Sequence, residues 1–398
     1  MENHTSLPSV PKGRHALFII VTLLYWCSLY TYVPILSPYM ESIGFSFLMM
    51  GIVLGSYGFM QILIRFPLGI LSDRLRRRKP FIVLGFATSA AGCAIFILFE
   101  GFAGVTAARA MTGISASAWV AFTVLYASYY VGSEATKAMG TISVATVTGQ
   151  LLGMGISGVV AEMWGWSATF WVGGVTALIG GGICWFIYES KDGVYRPPML
   201  FRDIPAIIGN PILLKVSLLS ILAHSVLFIT MFGFTPSYAV SIGADKLYLS
   251  LLVIAFMVPH AFAALITGRR IAPRYGVWAT IMTGFIISGL CTALIPFNHS
   301  LTLLIITQAI NGFAQGLHLP LLMGLSIQSI DNDKRATAMG FYQAVYAAGM
   351  FSGPFIAGSI NESYGLGGGF IFGAAVGLLA AILTAYWSRA QLTRGFSI

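Results

Sequence analysis

Long apolar runs separated by short polar segments occupy almost the whole chain. Twelve of these runs reach the length of about 20 mostly apolar residues that a helix needs to cross the hydrocarbon core of a bilayer. The runs are 15–40, 47–72, 80–99, 103–128, 136–161, 167–188, 211–240, 247–268, 277–297, 301–328, 336–361 and 367–388. This pattern predicts an all-α polytopic membrane protein with twelve transmembrane helices, which we number spans 1 to 12.

The longest polar interruption, residues 189–210, is rich in proline and lies between spans 6 and 7. It divides the chain into two sets of six spans. We therefore expect a six-helix bundle at 15–188, the central loop at 189–210 and a second six-helix bundle at 211–388. The terminal segments 1–14 and 389–398 flank the two bundles.

The two sets of six spans repeat each other at an offset of 200 residues. The segment Ala138–Gly140 recurs as Ala338–Gly340. Further glycines recur at the same offset: Gly149, Gly153, Gly158, Gly165 and Gly173 against Gly349, Gly353, Gly358, Gly365 and Gly373. Because each half holds an even number of spans, the halves must be parallel repeats, related by an axis along the membrane normal. Transporters of this architecture bind substrate between the halves near the middle of the bilayer.

The chain is 57% hydrophobic and 9% charged, far from the roughly 25% charged residues of a soluble domain. Of its 22 Lys and Arg, 19 fall on one set of loops and terminal segments, and only Lys246 falls on the opposite set. The positive-inside rule then predicts cytoplasmic termini and a cytoplasmic central loop, in a plasma (inner) membrane. The net charge of +9 is explained by this topology, so we expect no nucleic-acid partner.

A basic loop joins spans 2 and 3, with five Lys and Arg among the six residues that follow Asp73. The segment Gly69–Arg78 resembles the signature between helices 2 and 3 of the major facilitator superfamily. It departs from that signature at Arg76, where a second glycine is usual. The matched position in the second half has Pro273 in place of the aspartate.

Two further motifs carry the same resemblance. Arg109-x-x-Thr112-Gly113 is similar to the helix 4 motif of the family. The segment Gly149–Gly158 is similar to the helix 5 motif of its antiporter branch, with Met154 where a proline is usual. The resemblance implies a twelve-helix transporter that works by alternating access, with proton-coupled efflux of a drug or metabolite as the leading mechanism. It also implies a cytoplasmic gate, to which we assign Gly69, Asp73, Arg74 and Arg77, with Glu134 and Asp333 on the facing loops.

Ionisable side chains inside spans are costly and therefore indicate function. Arg109 lies in span 4, and the family resemblance links it to proton coupling; the alternative is that it extends to the membrane surface. His224, His260 and His318 are further candidates for proton coupling, because histidine titrates near neutral pH. Arg65 on span 2 is either an anion contact or part of an ion pair near the inner surface.

Several spans carry polar or aromatic residues at helical spacing, because residues three or four apart share one helix face. We expect these faces to line a substrate cavity; the alternative is that they hydrogen-bond between helices without contacting substrate. The candidate substrate-binding residues are Tyr25, Ser28 and Tyr32 (span 1), Tyr57, Gln61 and Arg65 (span 2), Trp119 (span 4), Thr146 and Gln150 (span 5), Phe228, Thr235 and Tyr238 (span 7), Gln308, Asn311 and Gln315 (span 10), and Gln343 and Tyr346 (span 11).

All 13 Asp and Glu lie in loops or at span ends, so no carboxylate lies near a span centre. With two arginines inside the spans, simple electrostatics favours an anionic, zwitterionic or neutral substrate over a cation. No nucleotide-binding loop, HExxH metal motif or intramembrane aspartate pair is present. We therefore expect a monomeric transporter, not an enzyme, without cofactor or metal. Organic-anion exchange, an uptake symporter and a ligand sensor on a transporter scaffold stay open as alternatives.

Overall fold

A computed structural model of the chain describes residues 10–75, 77–130, 135–189, 205, 208–328, 330 and 335–392, apart from the side chains of 73, 74, 135–137, 335–337 and 390–392. Within these residues the chain forms twelve long helical rods. They are α1 (Lys12–Ser42), α2 (Phe47–Arg74), α3 (Lys79–Leu98), α4 (Phe102–Ala127), α5 (Ala135–Trp164), α6 (Trp166–Cys184), α7 (Pro211–Ser241), α8 (Lys246–Tyr275), α9 (Val277–Leu294), α10 (Leu301–Gln328), α11 (Arg335–Tyr364) and α12 (Leu366–Leu392).

The predicted twelve-helix fold is confirmed, with helix ends within a few residues of the predicted spans. Ten of the described helices are long and apolar enough to cross a membrane. The other two, α10 and α11, are equally long but more polar. In α10 the difference has a clear cause, because four polar side chains, Gln308, Asn311, Gln315 and His318, are fully buried along it.

Two of the long helices are interrupted at equivalent places in the two halves. In α1, regular helix ends at Tyr30 and resumes at Val33, with Pro34 in the first turn of the second segment. In α7, a π-helical stretch covers Thr230–Phe234, and Pro236 lies in the first turn that follows. Proline lacks the N–H that would continue the hydrogen-bond ladder of the preceding turn, which accounts for both breaks.

Within each half, the repeated glycines allow two helix backbones to approach closely. Gly153 of α5 lies against α1, so that a Cβ atom there would be 2.5 Å from the carbonyl oxygen of Cys27. Gly353 of α11 lies against α7 in the same way, with a Cβ only 2.8 Å from the Ser225 carbonyl oxygen. Small residues are the usual means of close helix packing in a bilayer.

The two halves meet along α2 and α11, and along α5 and α8. Gly55 and Gly58 of α2 pack against the α11 backbone, where added Cβ atoms would lie 2.8 Å from the Phe351 oxygen and 2.5 Å from its nitrogen. In the second contact, Ser250 of α8 accepts a 2.8 Å hydrogen bond from the Gly158 amide of α5. These are contacts of the kind that fix the relative position of two bundles.

Among the described residues, one set of contacts between the halves lies at one end of the molecule. We call the end that holds Arg77–Lys79 the basic end, and the other the opposite end. At the opposite end, the Val33–Ser42 segment of α1 packs against the Thr235–Ser241 segment of α7. There the amide of Leu48 also donates a 3.0 Å hydrogen bond to the Glu362 carboxylate.

Candidate substrate site between the two halves

A small pocket lies between the halves, next to the interruptions of α1 and α7. Its unfilled space is about 200 Å³ and is spread through narrow crevices between side chains. Its lining comes from both halves: Leu29, Tyr30 and Val33 (α1), Tyr57 (α2), Arg109 (α4), and Phe228 and Phe232 (α7). The pocket is therefore apolar and aromatic, with a single cationic side chain.

Arg109 is only 2% exposed, and its guanidinium carbon lies 4.3 Å from the centre of the Tyr57 ring. Its Nε atom has no hydrogen-bond partner, and no described carboxylate forms an ion pair with the side chain. A buried charge without a counter-charge is costly. The packing of α4 on α2 holds it there, because Gly113 brings α4 so close that a Cβ would lie 2.6 Å from the Tyr57 carbonyl oxygen.

The phenol groups of three tyrosines, Tyr30, Tyr32 and Tyr57, lie within electrostatic range of the Arg109 guanidinium. Tyr30 and Tyr57 are also pocket-lining residues and close neighbours of each other. Tyrosine hydroxyls both donate and accept hydrogen bonds. The pocket thus combines one fixed positive charge with hydroxyl groups that accept or donate.

Arg65 is also buried, at 4% exposed, but its surroundings differ from those of Arg109. Its Nη1 atom donates to the Gln343 carbonyl oxygen at 3.2 Å and to the Tyr346 hydroxyl at 2.9 Å. The ring of His224 stacks on Tyr346 with centroids 4.1 Å apart, and its Nδ1 atom lies 2.8 Å from the Ser220 carbonyl oxygen. Arg65 therefore joins α2 of the first half to α11 of the second, and it does not line the pocket.

Tyr57, Gln61 and Arg65, which the sequence places on one face of α2, all face the second half. Tyr57 stacks on Phe228 with centroids 5.9 Å apart. The Gln61 amide nitrogen lies 3.7 Å from the sulfur of Met350 and donates to the Tyr57 carbonyl oxygen at 3.3 Å. This face of α2 is thus the surface on which the two halves meet.

The structure does not bring Tyr25, Ser28 and Tyr32 to the pocket, contrary to our expectation. The Tyr25 hydroxyl donates to the Ser115 carbonyl oxygen of α4, and the Ser28 hydroxyl lies 3.2 Å from that of Ser89 on α3. The Tyr32 ring packs among aromatic rings of α3 and α6. The reason is physical for two of them: inside lipid, polar groups must find partners within the protein, and the hydroxyls of Tyr25 and Ser28 find them within the first half.

The polar stripe of α10 faces away from the pocket too. Asn311 accepts a 2.8 Å hydrogen bond from the Ser288 hydroxyl of α9, and Gln315 donates to the same hydroxyl at 3.0 Å. His318 stacks on Phe285 of α9 with centroids 4.2 Å apart. Gln308 is fully buried on the same helix. For Asn311 and Gln315 this arrangement favours the structural alternative, hydrogen bonding between helices of one half, whereas the side chains of Gln308 and His318 have no hydrogen-bond partner among the described residues.

The other sequence candidates lie in several places. His260 is half-buried on α8 with its ring parallel to that of Phe256. Tyr238 donates to the Asn298 carbonyl oxygen at 3.1 Å near the opposite end, and Thr235 is fully buried. Trp119 packs edge-on against Trp26, 5.3 Å between centroids. The remaining two are half-buried on α5: Thr146, which donates to the Ile142 carbonyl oxygen at 2.9 Å, and Gln150.

Sequence reasoning missed Leu29, Tyr30, Val33 and Phe232, four of the seven pocket-lining residues. It favoured side chains with hydrogen-bonding groups, whereas the pocket is formed mainly by apolar and aromatic ones. The sequence did contain a signal for these residues, because a proline follows each helix break: Pro34 in α1 and Pro236 in α7. Residues beside such breaks are good candidates for a ligand site, because discontinuous helices form substrate sites in transporters.

The predicted gate is only partly described. The side chains of Asp73 and Arg74, and all of Glu134 and Asp333, lie outside the described residues. Gly69 is half-buried, with a Cβ position 3.8 Å from the Val120 side chain, and Arg77 is exposed.

The carboxylate of Glu189, which we did not select from the sequence, forms hydrogen bonds in the described part of the basic loop. Glu189 accepts from the amide of Arg78 and, at 3.3 Å, from that of Lys79, the first residue of α3. The Lys79 ammonium donates to the Ile187 carbonyl oxygen at 3.2 Å. A negative charge at a helix N-terminus is stabilising, so Glu189 fixes the start of α3.

Among the described residues, no three His, Cys, Asp or Glu side chains come together in a group that could hold a metal ion. The four cysteines are free; Cys93, Cys184 and Cys291 are buried and Cys27 is half-buried. The arrangement is suited to binding a small molecule between two bundles.

Comparison with known proteins gives a consistent picture along the whole chain. The family model of the Major Facilitator Superfamily matches residues 18–248 and 216–395. The chain is 27% identical over 390 residues to the inner membrane transport protein YajR of Escherichia coli K12, covering 95% of this chain and 82% of that protein. It is also 27% identical over 369 residues to the class C tetracycline resistance protein of Escherichia coli, covering 86% and 89%.

Two solved transporter structures share the fold. One is a mutant of the nucleoside transporter NupG, with a TM-score of 0.81 at 15% identity, covering 94% of this chain and 99% of that one. The other is a bacterial homologue of the human lysosomal transporter Spinster, inward-facing and unoccupied, also with a TM-score of 0.81 at 15% identity, covering 98% and 99%. The family match over most of its length shows that the chain is a membrane transporter, not an enzyme, and belongs to the Major Facilitator Superfamily.

Proposed function

We propose that the protein moves a small organic compound across the membrane by alternating access, through the pocket around Arg109. The observation that carries this proposal is the lining of the pocket, which comes from both halves and holds a buried charge without a counter-charge. A rocking motion of the bundles 15–188 and 211–388 about this pocket would expose it to one side of the membrane and then to the other.

The membrane orientation follows from the charges. The positive-inside rule makes the basic end cytoplasmic, with both termini on that side of a plasma (inner) membrane. The contacts between α1 and α7 and between Leu48 and Glu362 then close the external side. We propose that the pocket would open toward the cytoplasm from this state and that the protein acts as a monomer. Asp73, Arg74, Glu134 and Asp333 would close that side in the outward-open state.

Efflux coupled to protons is the direction and mechanism that we propose. Its support is the resemblance of the Arg109 and Gly149–Gly158 motifs to the antiporter branch, and the similarity to a tetracycline resistance protein. An arginine does not release its proton in a protein, so Arg109 would act on coupling through its charge. His224 is the histidine nearest the interface of the halves, where it stacks on the Tyr346 that binds Arg65.

Exchange of organic anions is a second candidate, favoured by one observation. Among the described residues, no carboxylate pairs with Arg109 inside the bundle. A cationic drug would gain nothing from such an interior, whereas an anion would be attracted to it. Anionic, zwitterionic and neutral substrates are therefore preferred in both candidate functions.

Flux into proteoliposomes separates the candidates. Ligands that raise the melting temperature of the purified protein would first be selected from a panel of anionic, zwitterionic, neutral and cationic compounds. Proton-coupled efflux predicts flux that a pH gradient accelerates several-fold. Exchange predicts flux that increases when the same compound is present on the far side of the membrane and that does not respond to the pH gradient. Tight binding without any flux would contradict transport and favour a sensor.

A further inference from the structure

We propose that Arg109 binds the acidic group of an organic anion, and that the aromatic side chains around it hold the apolar body of the same molecule. The inference rests on the proposed transport function and names its substrate class. It also divides the two buried arginines by role: Arg109 contacts the ligand, and Arg65 joins the two halves.

The division follows from the partners of the two guanidinium groups. Arg65 has two uncharged hydrogen-bond acceptors for its Nη1 atom, the Gln343 carbonyl oxygen and the Tyr346 hydroxyl, although its Nε atom has no partner. Arg109 has no hydrogen bond to any described protein group through its side chain, and its guanidinium carbon lies 4.3 Å from the centre of the Tyr57 ring. A cation–π contact leaves the in-plane N–H donors of a guanidinium free to bind an acceptor.

The burial of Arg109 strengthens the preference of the site for an anion. A charged group inside the bundle is normally paired, and one that is held unpaired at 2% exposure is destabilising until a counter-charge arrives. An anionic ligand supplies that counter-charge and makes charge-assisted hydrogen bonds. A cation would meet the same guanidinium in a medium of low polarity, where repulsion is strong.

The rest of the lining specifies an organic anion over an inorganic one. Leu29, Val33, Phe228 and Phe232 offer no hydrogen-bonding side chain, so they favour an apolar or aromatic body. Tyr30 and Tyr57 also line the pocket, and their hydroxyl groups are able to donate to a second acidic oxygen. Because Phe228 and Phe232 belong to the second half and Arg109 to the first, a bound anion would contact both halves at once.

Three probes of matched shape test the charge preference on the purified protein in detergent or nanodiscs: 3-phenylpropionate, its uncharged amide and 3-phenylpropylamine. We expect the anion to bind about tenfold more tightly than the amide, and the cation to bind most weakly, because a hydrogen bond to a charged group is worth about one power of ten or more. Quenching of tryptophan fluorescence and thermal shift both report the binding.

Matched variants assign the preference to one arginine. Arg109→Gln should abolish the difference between the anion and the amide, while Arg109→Lys should keep its sign with weaker binding. Arg65→Gln should keep the full preference. Equal binding of anion and amide, loss of the preference in Arg65→Gln alone, or no saturable binding of the anion at millimolar concentration would each overturn the assignment.

Two further comparisons, competition by chloride and binding against flux, distinguish the remaining outcomes. Chloride that displaces the anion as well as unlabelled 3-phenylpropionate does would overturn the organic-anion class, leaving a site for small inorganic anions. The binding measurement needs no flux, so anion binding without flux would reject the transport proposal and keep the site. Flux of a cation through a protein that does not bind the anion would keep the transport proposal and reject the anion site.

Discussion

At the scale of single residues, the meaning of each buried charge depends on its partners. Both arginines in the spans are conspicuous in the sequence, but the sequence does not show which one has hydrogen-bond acceptors within the protein. We expected Arg65 to contact substrate and Arg109 to serve proton coupling. The partners described here support a different division, because Arg65 has acceptors from α11 and Arg109 has none.

The bridge that Arg65 forms between the two halves through its hydrogen bonds predicts that replacing Arg65 lowers stability. Arg65→Gln removes two hydrogen bonds between the halves, and we expect it to lower the free energy of unfolding by about 1–3 kcal/mol, since hydrogen bonds to charged groups contribute on this scale. Tyr346→Phe keeps the ring that stacks on His224 and removes one acceptor, so its effect should be smaller. Melting in nanodiscs measures both, and an unchanged melting temperature in Arg65→Gln would contradict the bridge.

The Glu189 cap gives a second residue-scale prediction. Glu189→Gln keeps an acceptor and removes the charge from the N-terminus of α3, and Glu189→Ala removes both. We expect losses of about 0.5 kcal/mol and about 1 kcal/mol, in that order. The loss in Glu189→Gln should shrink at high salt, because an exposed charge interaction is screened. Equal losses for both variants at all salt concentrations would show that charge plays no part in the cap.

At the scale of helices, the sequence is a good guide to where a helix lies and a poor guide to which way it faces. Hydrophobic run length places all twelve helices because the bilayer imposes that length on any spanning segment. The polar stripes of α1 and α10 are at helical spacing, as expected. Their direction is decided by partners such as Ser89, Ser115 and Ser288, which lie on other helices of the same half.

The candidate site was predictable only in part, for the same reason. Tyr57, Arg109 and Phe228 were recognisable as a ring, a charge and an aromatic residue on inward-facing spans. Leu29 and Val33 resemble any lipid-facing residue in the sequence. Their place in the pocket depends on the interruption of α1, whose consequences for neighbouring side chains need three-dimensional packing.

Close packing of α2 on α11 predicts that glycines in this interface are indispensable. A Cβ at Gly58 would lie 2.5 Å from the Phe351 nitrogen and 2.8 Å from the Ala347 carbonyl oxygen. Both are backbone atoms, which cannot move without displacing their helix. We expect Gly58→Ala to destabilise the protein by about 1–3 kcal/mol through overpacking. It should also slow transport, because the proposed rocking motion would pivot on this surface.

Gly140→Ala is the matched control for this prediction. No atom lies within 4 Å of a Cβ at Gly140, which is also a helical glycine. Replacing it by alanine should be neutral or stabilise by about 0.5–1 kcal/mol, because glycine is the weaker helix former. Equal melting temperatures for the two variants would show that α2 and α11 are packed less closely than described.

At the scale of the whole molecule, the proposed mechanism depends on contacts between the two halves that form and break. The halves are in contact at the opposite end, through α1 with α7 and through Leu48 with Glu362. The pocket lies between them, beside the two helix breaks. Alternating access requires this end to open during the cycle, which would expose pocket residues that are buried in the state described.

Val33 is the most useful position to follow that opening, since it lines the pocket, is only 5% exposed, and adjoins the break in α1. In a protein whose four native cysteines are replaced, Val33→Cys gives a single site for a membrane-impermeant maleimide. Inside-out and right-side-out vesicles present the two faces of the membrane separately. Adding Arg109→Gln to the same protein gives the control for ligand protection.

The most direct measurement is the rate at which this cysteine is labelled from each face, with and without 3-phenylpropionate. The account predicts labelling from both faces, slowed by the anion in the protein that retains Arg109 and unaffected by it in Arg109→Gln. Labelling from one face only, or protection that does not depend on Arg109, would contradict the account.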